Sequence, residues 1–332
     1  MVKIAFLSCC DAIRDARQKA WDELAEVHRP EHIVMLGDSI YMDYGLGHKY
    51  DNGQPRGAPL ADFSAEMHRA YTLQWRVASF RRAIRDARVH AIWDDHDFGW
   101  NNACGALPDT PRDKVNLSHA LFQQFRQALV QKPADYGPNP WPQGSGAPPA
   151  GSIAAMVELP HRVRLHLTDG RSFREAEGGS ILGQAQRHAL EQALVQIDAA
   201  EPGVLHLIAR GTDAADWARS PDNDWLRGLA TRHDILVLSG DRHNLKLDAA
   251  AWPLEAVSSA MAQTTPPIPS PIKRSEVFGI LDIDDASLRV SLYHRGELKK
   301  TRLIDRGQWP RQVPQGASSN CPASSAAIGR PR

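Results

Sequence analysis

Short runs of consecutive apolar residues alternate along the chain with stretches in which large apolar residues recur every three or four positions. Lys3–Leu7, His32–Leu36, His90–Trp93 and Asp234–Leu238 are runs of the first kind. They place apolar side chains on both faces of the pleat, so they read as buried strands of a parallel-type sheet. Trp21, Leu24 and Val27 share one helical face, and Met67, Tyr71 and Trp75 a second; Val115, Leu121, Phe122, Phe125 and Leu129 form a third. Strand alternating with helix predicts an α/β core.

The pattern breaks from Lys132 to Ser152, where Pro133, Gly137, Pro138, Pro140, Pro142, Gly144, Gly146, Pro148, Pro149 and Gly151 block regular structure. A long surface loop joining two halves of one domain is expected there. Beyond it, Ile153–Leu159 and Val163–Thr168 read as a hairpin around Pro160-His161, followed by a helix from about Gly183 to Ala199. Val277–Ile283, Leu288–His294 and Leu298–Ile304, separated by Asp284-Asp285 and Arg295-Gly296, read as an antiparallel meander, so the second half is expected to bring its own sheet. Residues 1–306 therefore form one domain. From Gly307 to Arg332 the chain is rich in Pro, Ser, Ala and Gly, too poor in apolar area to offset the entropy of ordering, and a mobile tail is expected.

Composition narrows the function classes. The 332 residues carry 39 Lys+Arg against 39 Asp+Glu, so there is no net basic excess of the kind a nucleic-acid footprint needs. No window approaches the roughly 20 apolar residues of a membrane span. The N-terminus, Met1 to Cys10, reads as a first core strand rather than a secretory signal. With Cys9 and Cys10 adjacent and unsuited to a shared disulfide, a reducing cytoplasm is the expected compartment.

Candidate chemistry lies where strands end. His32–Leu36 runs into Gly37-Asp38, Ala91–Trp93 into Asp94-Asp95-His96-Asp97, and Leu236–Ser239 into Gly240-Asp241-Arg242-His243. The carboxyl ends of strands in α/β sheets face a common crevice, so several carboxylates and two histidines would converge. That much negative charge repels itself unless a cation intervenes. A lone Gly-Asp after a strand is ordinarily a turn with a capping Asp, whereas four such residues in a run lack a packing reason. Asn101 and Asn102 follow in a loop, where the ordinary reading is a turn.

In order along the chain, Ser8-Cys9, Gly37-Asp38-Ser39-Ile40-Tyr41, Trp93–Asp97 with Asn101-Asn102, Asp169-Gly170-Arg171-Ser172-Phe173-Arg174, Gly183–Gln186 and Ser239–His243 resemble the motifs of the PhoD-like alkaline phosphatases, within the calcineurin-like metallophosphoesterases. The resemblance runs from Phe6 to about His243. It implies a four-layer α/β/β/α sandwich of two mixed sheets flanked by helices, and metal-dependent hydrolysis of phosphate esters, with small-molecule phosphate esters as substrates. It further implies that Asp38 bridges two metals, that Cys9, Tyr41 and His243 complete an Fe(III) site, and that Asp95 and Asp241 face Ca(II) or another divalent ion. His96 becomes the candidate general acid, with Arg171, Arg174 and Asn102 on the phosphate. The hard oxygen donors suit these cations.

Departures from the superfamily pattern are Asp95-His96 in place of Asn-His, and Asp241-x-His243 in place of His-x-His; Gly170 also loosens the backbone ahead of Arg171. Cys10 stays open as the thiolate in place of Cys9. The loops 45–60 and 132–152 would decide between monoesters and diesters. Two other classes compete: a metal-binding sensor or scaffold without catalysis, and thiol redox chemistry at Cys9-Cys10, which lacks the Cys-x-x-Cys spacing.

Overall fold

A computed structural model describes residues 1–46, 55–247, 253–265 and 273–310. Fourteen strands are present among them: β1 Val2–Leu7, β2 His32–Leu36, β3 Arg88–Ile92, β4 Ala155–Leu159, β5 Val163–Leu167, β6 Leu205–Arg210, β7 Asp234–Ser239, β8 Leu245–Leu247, β9 Leu254–Ser258, β10 Gln263–Thr265, β11 Lys273–Ser275, β12 Val277–Ile283, β13 Ser287–His294 and β14 Glu297–Asp305. The helices are α1 Ala20–Glu23, α2 Asp43–Leu46, α3 Leu60–Arg76, α4 Ala78–Asp86, α5 Asp95–Phe98, α6 Arg112–Gln131, α7 Gly183–Ala200, α8 Ala214–Trp217 and α9 Pro221–Ala230.

Two six-stranded sheets carry the fold, in the orders β14-β13-β12-β1-β2-β3 and β4-β5-β6-β7-β9-β8. In the first, β1, β2 and β3 are parallel and β12 joins β1 antiparallel. In the second, β5, β6, β7 and β9 are parallel, with β4 and β8 antiparallel at the edges. The sheets pack face to face through Phe6, Leu207 and Leu238, and the same core extends to Phe63, Met67, Phe122 and Phe125 on α3 and α6. The outer face of the second sheet buries Ile208, Ile235 and Val237 against Leu190 and Leu194 of α7 and Leu226 and Leu229 of α9. This is a four-layer α/β/β/α arrangement of two mixed sheets.

Several expectations are corrected. The meander β12-β13-β14 belongs to the first sheet, because β12 pairs with β1 from Val2↔Ile283 to Phe6↔Gly279; only β4 to β9 form the second. Sequence patterning passed over β6 and β9, although both are fully buried. Val27 is exposed, because the helix begun by α1 widens into a π-helical turn at Leu24–His28, closed by the Arg29 N–H donating to the Leu24 carbonyl, and this rotates Val27 off the buried face. The expected tail begins late: Arg306–Gln308 form a 3-10 turn and Trp309 is buried. Residues 311–332 lie outside the described residues, as do 47–54 of the 45–60 loop. Residues 132–154 contain no helix or strand, and the loop is fastened to α3 where Ser64 Oγ donates to the Trp141 carbonyl at 2.6 Å.

Candidate metal centre

The carboxyl ends of β1, β2, β3 and β7 deliver Cys9, Asp38, Asp94–His96 and Asp241 to one crevice. The turns that do so are strained. Cys9, Asp38, Asn102, Asp241 and His243 all hold positive φ, between 47° and 61°, a region that costs a non-glycine residue roughly 1–2 kcal/mol and that concentrates at functional sites. Gly37 makes the approach feasible. Its φ is +96°, and a Cβ there would lie 2.4 Å from the Asp94 Cβ, so no side chain fits.

Asp38 stands at the centre. Its Oδ2 accepts from the Tyr41 hydroxyl at 3.2 Å and from the Cys9 thiol at 3.5 Å. Ser259 Oγ donates to Cys9 Sγ at 3.2 Å. On the other side, ligand atoms of Asp38, Asp94, Asp95 and Asp241 lie within 4.8 Å of one another, as do those of Asp38, Asp95 and His96. One carboxylate therefore touches a thiol and a phenol on one hand and an acidic group on the other. Cys10 instead packs in the hydrophobic core, which leaves Cys9 as the thiol beside Asp38.

The electrostatics favour a cation. Burial, then the neighbouring Asp95, Asp94 and Asp241 against the opposing pull of His96, pushes Asp38 well above the carboxylate range. Asp94 rises to about 7 through burial, despite Arg171, and Asp241 to about 6 through burial and then Asp95. Burial and the Asp38 charge push the Cys9 thiol and Tyr41 phenol far up as well. Asp94 Oδ2 is buried without a hydrogen-bond partner. These groups cannot all ionise in a dry crevice without a compensating charge, so the donor set fits metal ions. Oxygen donors dominate one side, and a thiol and phenol the other.

The expected catalytic residues take differing places. His96 is buried, and its Nδ1 lies 2.7 Å from Asp43 Oδ1. Burial alone would lower its pKa, but Asp38, the bond to Asp43 and Asp95 outweigh that and raise it to about 10. Arg171 is 2% exposed, and its Nε donates to Asp94 Oδ1 at 2.5 Å, with Nη2 3.8 Å from Asp95 Oδ1. Arg174 Nη2 donates to Asp216 Oδ2 at 2.5 Å. Asn102 holds the cluster through its backbone, whose N–H donates to Asp95 Oδ2 at 2.6 Å. A cavity of about 640 Å³ opens beside them, lined by Asn102, Arg171, Arg174, Arg219 and Arg242. The His243 N–H donates to Ser259 Oγ at 3.3 Å, and the residue itself is exposed at the edge of the crevice.

No protein-family model matches the chain, and no curated protein matches it. Among solved structures, that of PhoD superposes with a TM-score of 0.60 over 92% of this chain and 68% of its own, at 15% identity. The chain has a PhoD-like fold. A Vps29 variant from Entamoeba histolytica (TM-score 0.33, 12% identity, 92% of this chain and 99% of that) and a Streptococcus pneumoniae protein described as a predicted phosphoesterase (0.30, 10%, 92% and 99%) align more loosely.

Within this PhoD-like frame, sequence reading passed over Asp43, Asp216 and Ser259. Nothing local marks them: each acts through a partner brought in from another part of the chain, 53, 42 and 250 positions away. Asp97, although inside the acidic run, is a scaffold residue: it accepts the Ser39 and Asp94 N–H groups and completes a capping box on α5. Gln186 of the Gly183–Gln186 motif is likewise structural, since Oε1 accepts the Asp169 N–H and Nε2 donates to the Asp169 carbonyl.

Proposed function

We propose that the chain is a metal-dependent hydrolase of phosphate esters. The observation that carries this is the position of Asp38, whose carboxylate is shared between the Cys9 and Tyr41 side and the Asp94, Asp95 and Asp241 side. In this reading Cys9, Tyr41 and His243 hold Fe(III) with Asp38, while Asp38, Asp95 and Asp241 hold Ca(II) or another divalent ion. Bound cations would supply a water of lowered pKa and positive charge opposite the reacting phosphoryl oxygens.

The chain's own residues do the rest. His96, kept protonated by Asp38 and Asp43, carries a proton for the leaving oxygen. Arg171 borders the cavity and, fixed by Asp94, offers a rigid donor to a non-bridging oxygen. Arg174 and the Asn102 side chain line the same cavity, positioned for the phosphate or its substituent.

The test is hydrolysis of an aryl phosphate monoester and of a diester by the purified protein, before and after chelation and with Ca(II) added back. Turnover removed by chelation, restored by the ion and absent in Asp38→Asn is expected. Full turnover in Asp38→Asn would sink the reading, and metal-loaded protein inert on a wide panel of esters would favour a sensor.

A further inference from the structure

The outer face of the second sheet carries another group of metal-ligating side chains, centred on the amino ends of β6 and β7. His166 of β5 and His206 of β6 point away from the inter-sheet core, His233 immediately precedes β7, and Asp198 lies in the last turn of α7. His206 Nε2 lies 3.0 Å from Asp198 Oδ1, and His233 Nδ1 lies 2.6 Å from Asp198 Oδ2. His206 Nδ1 in turn lies 3.0 Å from His166 Nε2. The six residues of β7 separate this cluster from Asp241, roughly 20 Å at strand rise.

Asp198 holds two of the imidazoles, His206 and His233. The ion-pairing partners of Asp198 among the described residues are these two imidazoles. The imidazoles are 3%, 0% and 5% exposed for His166, His206 and His233, and His233 Nε2 is buried without a partner.

We propose that Asp198, His206 and His233 bind a divalent transition-metal ion of the zinc class. Their ligand atoms lie within 4.8 Å of one another, and two imidazoles with one carboxylate are a zinc-type set rather than a calcium or magnesium one. Tetrahedral coordination at about 2.0 Å needs ligand atoms roughly 3.3 Å apart, so an ion would widen the 3.0 Å spacing of His206 from Asp198 slightly and the 2.6 Å spacing of His233 by more than half an ångström. His166 bonds the far nitrogen of His206 and so orients its ring, the part that a carboxylate, carbonyl or water more often takes beside a ligating histidine. Asp198 is part-exposed and provides the solvent-side entry. The ion ties α7 to β6 and to the turn entering β7, a structural clamp independent of the strand-end chemistry.

The experiment counts metal in the full chain. Protein carrying Asp38→Asn and His243→Ala, to weaken the strand-end centre, is stripped by chelation, loaded with Co(II) alone, desalted and analysed for metal content and visible absorption. The parent double variant is expected to hold one more Co(II) per chain than the same protein with Asp198→Asn added, with tetrahedral d–d bands lost in step. His233→Gln should reproduce the loss, and Zn(II) should raise Tm only where Asp198 and His233 are intact. Equal metal content and equal Zn(II)-induced Tm shifts in folded Asp198→Asn and His233→Gln proteins would overturn the proposal. Activity plays no part in the readout, so this outcome is separable from the phosphoesterase reading.

Discussion

Arg171 Nε donates to Asp94 Oδ1 at 2.5 Å, linking the loop after β5 in one sheet to the residues after β3 in the other. Both side chains are 3% exposed, and the guanidinium is the cation that offsets two of the clustered carboxylates. Arg171→Met therefore leaves Asp94 and Asp95 buried without it, and should lower unfolding free energy by ~3–5 kcal/mol. Urea unfolding checks this. The double variant with Asp94→Asn should lose less than the sum of the single changes, and strict additivity would deny the coupling.

Asp38→Asn should separate function from stability. Asn keeps the acceptor for Tyr41 while removing a charge that burial and neighbouring carboxylates oppose. Because the folded pKa lies above the unfolded value, this carboxylate destabilises the metal-free protein at neutral and alkaline pH. In chelator near pH 8 the variant should melt higher than the parent, while its turnover is lost. A lower Tm would show that the charge repulsion is relieved by some other means.

Asp43→Asn weakens the hold on the His96 proton. If His96 protonates the leaving oxygen, kcat should fall by about 10²-fold for alkyl phosphates and much less for nitrophenyl phosphates, whose leaving groups depart without help. Equal losses on both would assign Asp43 a purely structural part.

At the far end of the first sheet, His32 Nδ1 lies 3.1 Å from His90 Nε2. Burial, then the His32 charge, lowers His90 to about 4, against about 6.5 in the unfolded chain. Between those values the unfolded state binds the proton and the native state does not, so stability is full above about pH 6.5 and is lost as pH falls toward 4. His90→Gln should flatten that slope in urea unfolding followed from about pH 7 to about pH 4.5; an unchanged slope would place the acid sensitivity elsewhere.

Much of the architecture was legible in one dimension. Unbroken apolar runs such as Ile33–Leu36 and Ile235–Leu238 can be buried only as interior strands, and the acidic residues that follow them must then meet at strand ends. That reasoning suffices to bring Asp38, Asp95 and Asp241 together. Three-dimensional structure alone decided that the C-terminal meander completes the N-terminal sheet, since pairing of β12 with β1 spans nearly the whole chain and leaves no local signature. It also decided that Arg171 is committed to Asp94, that Asp43 holds His96, and that His166, His206, His233 and Asp198 meet beneath α7. Hydrophobic periodicity reports which face of an element is buried, whereas the partner of a buried polar group is set by the register and packing of distant elements.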